Sequence, residues 1–236
     1  MTNQVKYNDE ALLLIRKLSE INNIITIKKS EDNQFITINN KNSSKSILYD
    51  FKAPISCFDF EGDDISFFDY KEFFTLFSVN DEPIITQDSL KLSIKKNRAK
   101  LKYHLAELEA IQDDEDEYYV DFSESHANVI ITAETFKKFK TMASLTKAEE
   151  LTFKVEGDKL LIKLFHEENE PTYEEEIDLE GTATEDFEFM VDAEIIKLAP
   201  EHDYNVELNS SGVIKFTYIN ELDIELNIYI AESEEE

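Results

Sequence analysis

The sequence predicts an α+β protein of two similarly ordered domains, each with two helices packed on antiparallel sheets. Three observations lead there. Apolar residues recur at helical spacing in four short stretches and alternate with polar ones in the stretches between them. The order helix, four strands, helix, three strands occurs twice along the 236 residues, and an acidic run, DDEDE at 113–117, separates the two occurrences. A repeat of more than about 100 residues marks paired domains rather than a solenoid. The expected boundaries are residues 1–110 for the first domain, 111–119 for an acidic interdomain connector and 120–236 for the second domain.

In the first domain, DEALLLIRKLSEI (9–21) brings Ala11, Ile15, Leu18 and Ile21 to near-helical spacing behind Asn8 as cap, with acids that suit a helix start. The stretches NIITIKK, QFITINN, SILYDF and SCFDFEG, separated by polar turn signals, read as strands. Asp69 is expected to cap YKEFFTLFSV, whose Tyr70, Phe73, Phe74 and Phe77 share one face. EPIITQ, SLKLSIK and RAKLKYH then close the domain as strands.

The second domain follows the same plan. Thr132 caps a helix in TAETFKKFKTMASLTK, and LTFKVEG, KLLIKLFH, TYEEEIDLEG and DFEFMV read as four strands. Asp192 caps AEIIKLA before Pro200 stops it, and YNVELNSS, VIKFTYIN and LDIELNIYIA supply three more strands. The stretch LAELEAIQDDEDEYY reads as a solvated connector, and the terminal ESEEE as a frayed tail.

Composition narrows the function classes. A 42% hydrophobic content with 17 Phe and 10 Tyr fills real cores, and no run of eighteen apolar residues occurs, so no membrane span is expected. The N-terminus lacks a signal peptide's basic start, and Cys57 stands alone, which together point to a reducing cytoplasm. Gly62, Gly157, Gly181 and Gly212 are isolated, so no phosphate-cradling loop is present in the sequence. His104, His126, His166 and His202 lack metal-ligand spacing, Ser123 with His126 lacks a nucleophile's context, and DDEDE lacks the glycine and spaced ligands of a calcium loop. No catalytic residue, metal or cofactor is expected, and the chain is not read as an enzyme.

Charge is divided unevenly. The formal net charge is −28, yet residues 1–112 carry 15 Lys and Arg against 17 Asp and Glu, while residues 113–236 carry 9 against 35. A uniform solubilising coat does not divide this way. Against that background, the helix around 132–147 holds Lys137, Lys138, Lys140 and Lys147 with Glu134 as its single acid. Turning 100° per residue stacks Phe136, Phe139, Met142 and Ala143 on one stripe and leaves Lys137 opposite, with Lys138 and Lys140 on the flanks. Lys71 lies opposite the Phe stripe of its helix, Arg16 and Lys17 lie off the apolar side of theirs, and Lys197 sits in the last turn of the fourth. These are either ordinary solvated faces or parts of one basic surface.

In order and length the chain resembles the tailed-bacteriophage DNA polymerase sliding clamps, trimeric processivity factors with a PCNA-like fold. The resemblance lies in ALLLIRKLSEINNIITIKK, FDYKEFFTLFSVNDEPIITQDSLKLSIKK, AETFKKFKTMASLTKAEELTFKVEGDKLLI and IIKLAPEHDYNVEL. It implies two clamp domains per chain, a closed homotrimeric ring, sheets outside, and helices lining a hole that duplex DNA passes through. Arg16, Lys17, Lys71, Lys137, Lys138, Lys140 and Lys197 would then face phosphates, which carry no sequence information. It further implies a DNA polymerase as the tethered partner, a clamp-loader ATPase, no membrane association, and the host cytoplasm if a phage encodes the chain.

A ring of identical two-domain subunits joins head to tail, and such contacts favour opposite charges. RAKLKYH sets Arg98, Lys100 and Lys102 on one side of a strand, and EEEIDLE sets Glu174, Glu176, Asp178 and Glu180 on one side of another. Either these strands pair across the subunit boundary or each simply pairs within its own sheet. Partners of sliding clamps dock a short tail under the interdomain connector, where Leu105, Leu108, Ile111, Tyr118 and Tyr119 either line the pocket or staple the connector to its sheet. The charge also fits an acidic DNA-mimic inhibitor of a nucleic-acid-binding protein, although a mimic requires neither basic helix faces nor a duplicated plan.

Overall fold

The computed structural model describes residues 3–79, 83–96, 98–107, 120, 122, 124–166 and 170–232. The chain divides into two compact units, Met1–Asn40 with Asp50–Tyr118, and Lys41–Tyr49 with Tyr119–Glu236.

The first unit runs β1 (Asn3–Tyr7), α1 (Asp9–Leu18), β2 (Ile25–Lys29), β3 (Phe35–Lys41), β4 (Ile47–Pro54), a 3-10 turn (Ile55–Cys57), β5 (Phe58–Asp59), β6 (Asp64–Phe67), α2 (Tyr70–Ser78), β7 (Ile84–Asp88), β8 (Lys91–Lys96) and β9 (Ala99–His104), with the end of β3 and the first three residues of β4 counted in the second unit. Its strands lie in the orders β5-β1-β7-β8-β9 and β4-β3-β2-β6. The second unit runs β10 (Ala127–Ile131), α3 (Ala133–Thr146), β11 (Glu150–Glu156), β12 (Lys159–Phe165), β13 (Tyr173–Asp178), β14 (Phe187–Asp192), α4 (Ala193–Leu198), β15 (Tyr204–Asn209), β16 (Val213–Tyr218) and β17 (Glu225–Ala231). Its strands lie in the orders β10-β15-β16-β17 and β13-β12-β11-β14.

The two units share one plan, fuller than the sequence suggested. Each opens with a strand before its first helix, and that strand pairs antiparallel with the first strand after the second helix: Val5 opposes Ile85, and Val129 opposes Val206. Neither opening strand was anticipated. NQVKY contains one deeply buried apolar residue, Val5, so no alternation shows. In ANVII the alternation of Ala127, Val129 and Ile131 was there to be read. SCFDFEG, expected as one strand, divides between the 3-10 turn and the two-residue β5, and the short β6 follows it.

All four expected caps form. Asn8 Oδ1 accepts from the Ala11 amide at 3.0 Å, Asp69 Oδ1 from Glu72 at 2.7 Å, Thr132 Oγ1 from Thr135 at 3.2 Å and Asp192 Oδ1 from Glu194 at 2.7 Å. Helix α1 is shorter than expected, because past Ser19 the Glu20 and Ile21 amides bond the Lys17 and Leu18 carbonyls, three residues back instead of four; Ile21 is buried from outside the helix. At the other end of α3, Lys147 adopts the left-handed conformation (φ 54°) that closes the last turn.

The cores follow from the apolar stripes. In the first unit the α2 rings Tyr70, Phe73 and Phe77 pack with Phe58, Phe67 and Tyr103, all buried, whereas Phe74 is only half-buried. In the second, Phe136 of α3 packs against Tyr204 and Phe216, while Phe153 stacks on Phe189. Full burial of one such side chain contributes about 1.5–3 kcal/mol, so the rings dominate the packing of each helix onto its sheets. Cys57 is buried, and burial pushes its thiol pKa up from 9.0.

Candidate nucleic-acid interface

Within the first unit, the C-terminal turn of α1 meets the first turn of α2. Glu20, just past α1, accepts from both Arg16 and Lys71, the latter at 2.6 Å. Burial opposes ionisation of Glu20, but the hydrogen bonds from Lys71 and Arg16 prevail and hold its carboxyl below the usual 4.5. Two of the expected phosphate ligands are thus brought together, each already holding a carboxylate. Lys17 is half-buried and forms no ion pair among the described residues.

The second unit repeats the arrangement with different residues. Lys138 of α3 reaches Glu175 of β13 at 2.8 Å and lies 5.8 Å from the centre of the Tyr173 ring. The Glu175 and Tyr173 oxygens raise its pKa. Lys140 keeps only 19% of its side chain exposed, donating to the Ala199 carbonyl at the end of α4 at 2.9 Å, with Glu201 at 3.8 Å. That bond satisfies a C-terminal carbonyl and ties α3 to α4. Lys197 pairs with Glu194 one turn earlier at 2.5 Å. Lys137 is exposed and has no ion pair among the described residues. A shallow cleft of about 590 Å³ lies where α3 ends, lined by Ser144, Lys147, Glu149, Asp192, Glu194 and Lys197; with three acids against two lysines it offers an anion little.

The sequence had not pointed to the acids. Glu20 lies four residues after Arg16 and Glu194 three before Lys197, spacings that a search for i,i+3 and i,i+4 partners finds. Glu175 and Glu201 come from other segments, and only the fold brings them to Lys138 and Lys140.

The two charged strands both lie at edges, β9 ending one strand order and β13 another, so each keeps a partner in its own sheet on one side. On β9, Lys100 and Lys102 point to solvent between half-buried Leu101 and buried Tyr103, and Arg98 is exposed in the turn just before. On β13, Glu174, Glu176 and Asp178 are exposed, but Lys159 holds Asp178 and Glu176, the latter at 3.1 Å, and Lys163 lies 3.9 Å from Glu174. Hydrogen bonds donated to Asp178, then to Glu176, raise the Lys159 pKa. Glu180 lies past the strand, its amide donating to the Asn128 carbonyl at 2.8 Å. Of the expected pocket residues, Leu105 is buried and its amide donates to Leu90 at 2.9 Å. Leu108, Ile111, Tyr118 and Tyr119, with the rest of the connector, lie outside the described residues.

No protein-family model matches the chain, and no curated protein matches it by sequence. Solved structures match it in three dimensions. The proliferating cellular nuclear antigen (PCNA) of Entamoeba histolytica superposes with a TM-score of 0.76 at 13% identity, covering 99% of this chain and 100% of that one. A. fulgidus PCNA, solved bound to the C-terminal region of FEN-1, gives 0.71 at 13% identity with 100% of both chains covered. The Helicobacter pylori beta clamp gives 0.68 at 12% identity, covering 99% of this chain and 66% of the clamp. The chain has the α+β fold of PCNA and the beta clamp, with two units of one plan.

Proposed function

We propose that this chain is a DNA sliding clamp: three copies close into a ring around duplex DNA and tether a DNA polymerase as a non-enzymatic processivity factor. A separate clamp-loader ATPase opens and places the ring. The observation that carries this reading is the end-to-end likeness of both units to solved clamps. The sequence resemblance to tailed-phage clamps supports a phage source and, with it, the host cytoplasm.

In this reading the solvent faces of α1, α2, α3 and α4 line the hole. Lys17 and Lys137, which hold no carboxylate among the described residues, meet phosphates directly; Arg16, Lys71, Lys138 and Lys197 do so in competition with Glu20, Glu175 and Glu194. Lys140 acts through the α4 terminus it secures. Phosphate contacts alone position without reading bases, which leaves the ring free to slide. The ring closes head to tail, β9 of one copy beside β13 of the next, with Lys100 and Lys102 facing the row Glu174, Glu176 and Asp178 and Arg98 at its end. Partner tails dock beside Leu105 and the connector residues Leu108, Ile111, Tyr118 and Tyr119. An acidic DNA mimic needs none of these features.

Light scattering on a sizing column at low and high salt, followed by retention on circular and on linearised DNA, tests the reading. The expected mass is three times 27.5 kDa, with retention lost on linearisation. A monomer at every concentration, with and without DNA and loader, would overturn it.

A further inference from the structure

The first unit carries a basic sheet face of which the proposed DNA path uses nothing and the proposed edge pairing uses only Lys100 and Lys102 of β9. Across β7, β8 and β9 the register aligns Ile84 with Lys95 and Lys100, Thr86 with Ser93 and Lys102, and Asp88 with Lys91 and His104. Residues opposite one another point to the same side. Leu92, Ile94 and Tyr103 lie on the other side, in the core. The outward side therefore sets exposed Lys95 and Lys100 in line with Ile84, which is 53% exposed, with exposed Lys102 next along β9 and exposed Lys91 at the far end opposite Asp88. None of these lysines has a carboxylate partner among the described residues.

The sheets of the second unit differ. In the second unit the sheet lysines Lys154, Lys159, Lys163 and Lys215 each hold a glutamate, at 2.5, 3.1, 3.9 and 3.0 Å. Among the described residues these four lysines form no ion pair, and two of them, Lys95 and Lys100, directly face each other. Opposed like charges cost stability, and an anionic partner removes that cost.

We propose that this outward face of β7, β8 and β9 docks an acidic peptide segment of a partner protein, with carboxylates over Lys91 and Lys95 and an apolar side chain over Ile84. Edge pairing with a second copy covers the rim of β9, whereas Lys91 and Lys95 lie one strand inward, about 4.8 Å further, and Ile84 two strands inward. The surface is also unlike a site for single-stranded nucleic acid, because among the described residues it offers no Phe, Tyr or Trp on which successive bases could stack. An exposed isoleucine amid flexible lysines suits a chain that alternates acidic and apolar residues. The proposal does not depend on ring formation or on DNA.

A fluorescently labelled peptide of alternating glutamate and leucine, titrated into the full chain at low salt, is the test, with poly-glutamate and a short DNA duplex as competitors. Lys91→Glu with Lys95→Glu is expected to weaken peptide binding about tenfold or more, and Ile84→Ser to erase the preference for the leucine-bearing peptide over poly-glutamate. Unchanged peptide binding in the double variant would overturn the proposal. So would displacement of the peptide by duplex DNA at equal charge, which would make the face a nucleic-acid surface, or a fall in oligomer mass in the double variant, which would assign the face to a second copy. The mass measurement is read separately, so failure of the ring leaves the peptide result interpretable.

Discussion

Lys95 stands directly opposite Lys100 on the outward side of the β8–β9 pair, two ammonium-bearing side chains facing one another in a protein of net charge −28. Replacing Lys95 by Glu turns a repulsive cross-strand pair into an attractive one. The variant is expected to gain about 0.2–1 kcal/mol in urea unfolding at low salt, shrinking as salt screens the pair. An unchanged or lowered midpoint at low salt contradicts the register.

Glu20 holds both Arg16 and Lys71, so in the proposed ring it would compete with phosphate for them. Glu20→Gln should therefore tighten binding to a duplex. The slope of log affinity against log salt should steepen by about one to two, since each added phosphate contact contributes nearly one. If these helices do not meet DNA, the slopes of wild type and variant will coincide.

Asp69 caps α2, and the Glu72 amide hydrogen bond, more than any other contact, holds its carboxyl below the ordinary 3.8. Asp69→Ala should cost about 1 kcal/mol at pH 7. Because the folded-state pKa is the lower one, this stabilisation is complete above about pH 4–5 and lost as pH falls through the folded value, so the two proteins should converge in acid. Urea midpoints at pH 7 and near pH 3 check the sign.

Phe73 is fully buried, with ring neighbours Phe58, Phe67, Tyr70, Phe77 and Tyr103. Phe73→Ala leaves a void that these rings cannot all close, at a cost of about 3–5 kcal/mol. Thermal unfolding would show a large fall in midpoint, whereas a loss near that of an exposed site would mean the cluster is loosely packed.

Reversing Lys100 and Lys102 to Glu should lower the oligomer's mass at low salt, because β9 would then face the carboxylates of β13 with like charge. Restoring opposite charge by adding Glu174→Lys and Glu176→Lys should recover it. A reversed variant that keeps its mass at low and high salt rules out this strand pair as the joint between copies.

Much of the fold was legible because local signals were strong. Asn8, Asp69, Thr132 and Asp192 sit where a helix's free amides need an acceptor, and the alternation in KLLIKLFH or YNVELN leaves one face apolar. β1 was not legible, because a strand with Val5 as its single deeply buried apolar residue is specified by the β7 it pairs with rather than by its own pattern. The helix lysines were found as a chemical type, but their state was hidden. That Lys138 faces Glu175 or Lys140 the end of α4 depends on which segments the chain folds together, and one-dimensional spacing does not contain it. Lys91 and Lys95 were visible as alternating members of SLKLSIK, yet that they form no ion pair among the described residues emerges only from the fold.

Cys57 is the chain's one thiol, buried and with its ionisation suppressed, so thiol-reactive dyes will leave the folded protein almost unlabelled. A cysteine introduced at an exposed position such as Lys137 can then be tagged without first removing a native one. Every photon recorded in a single-molecule trace would come from that chosen address.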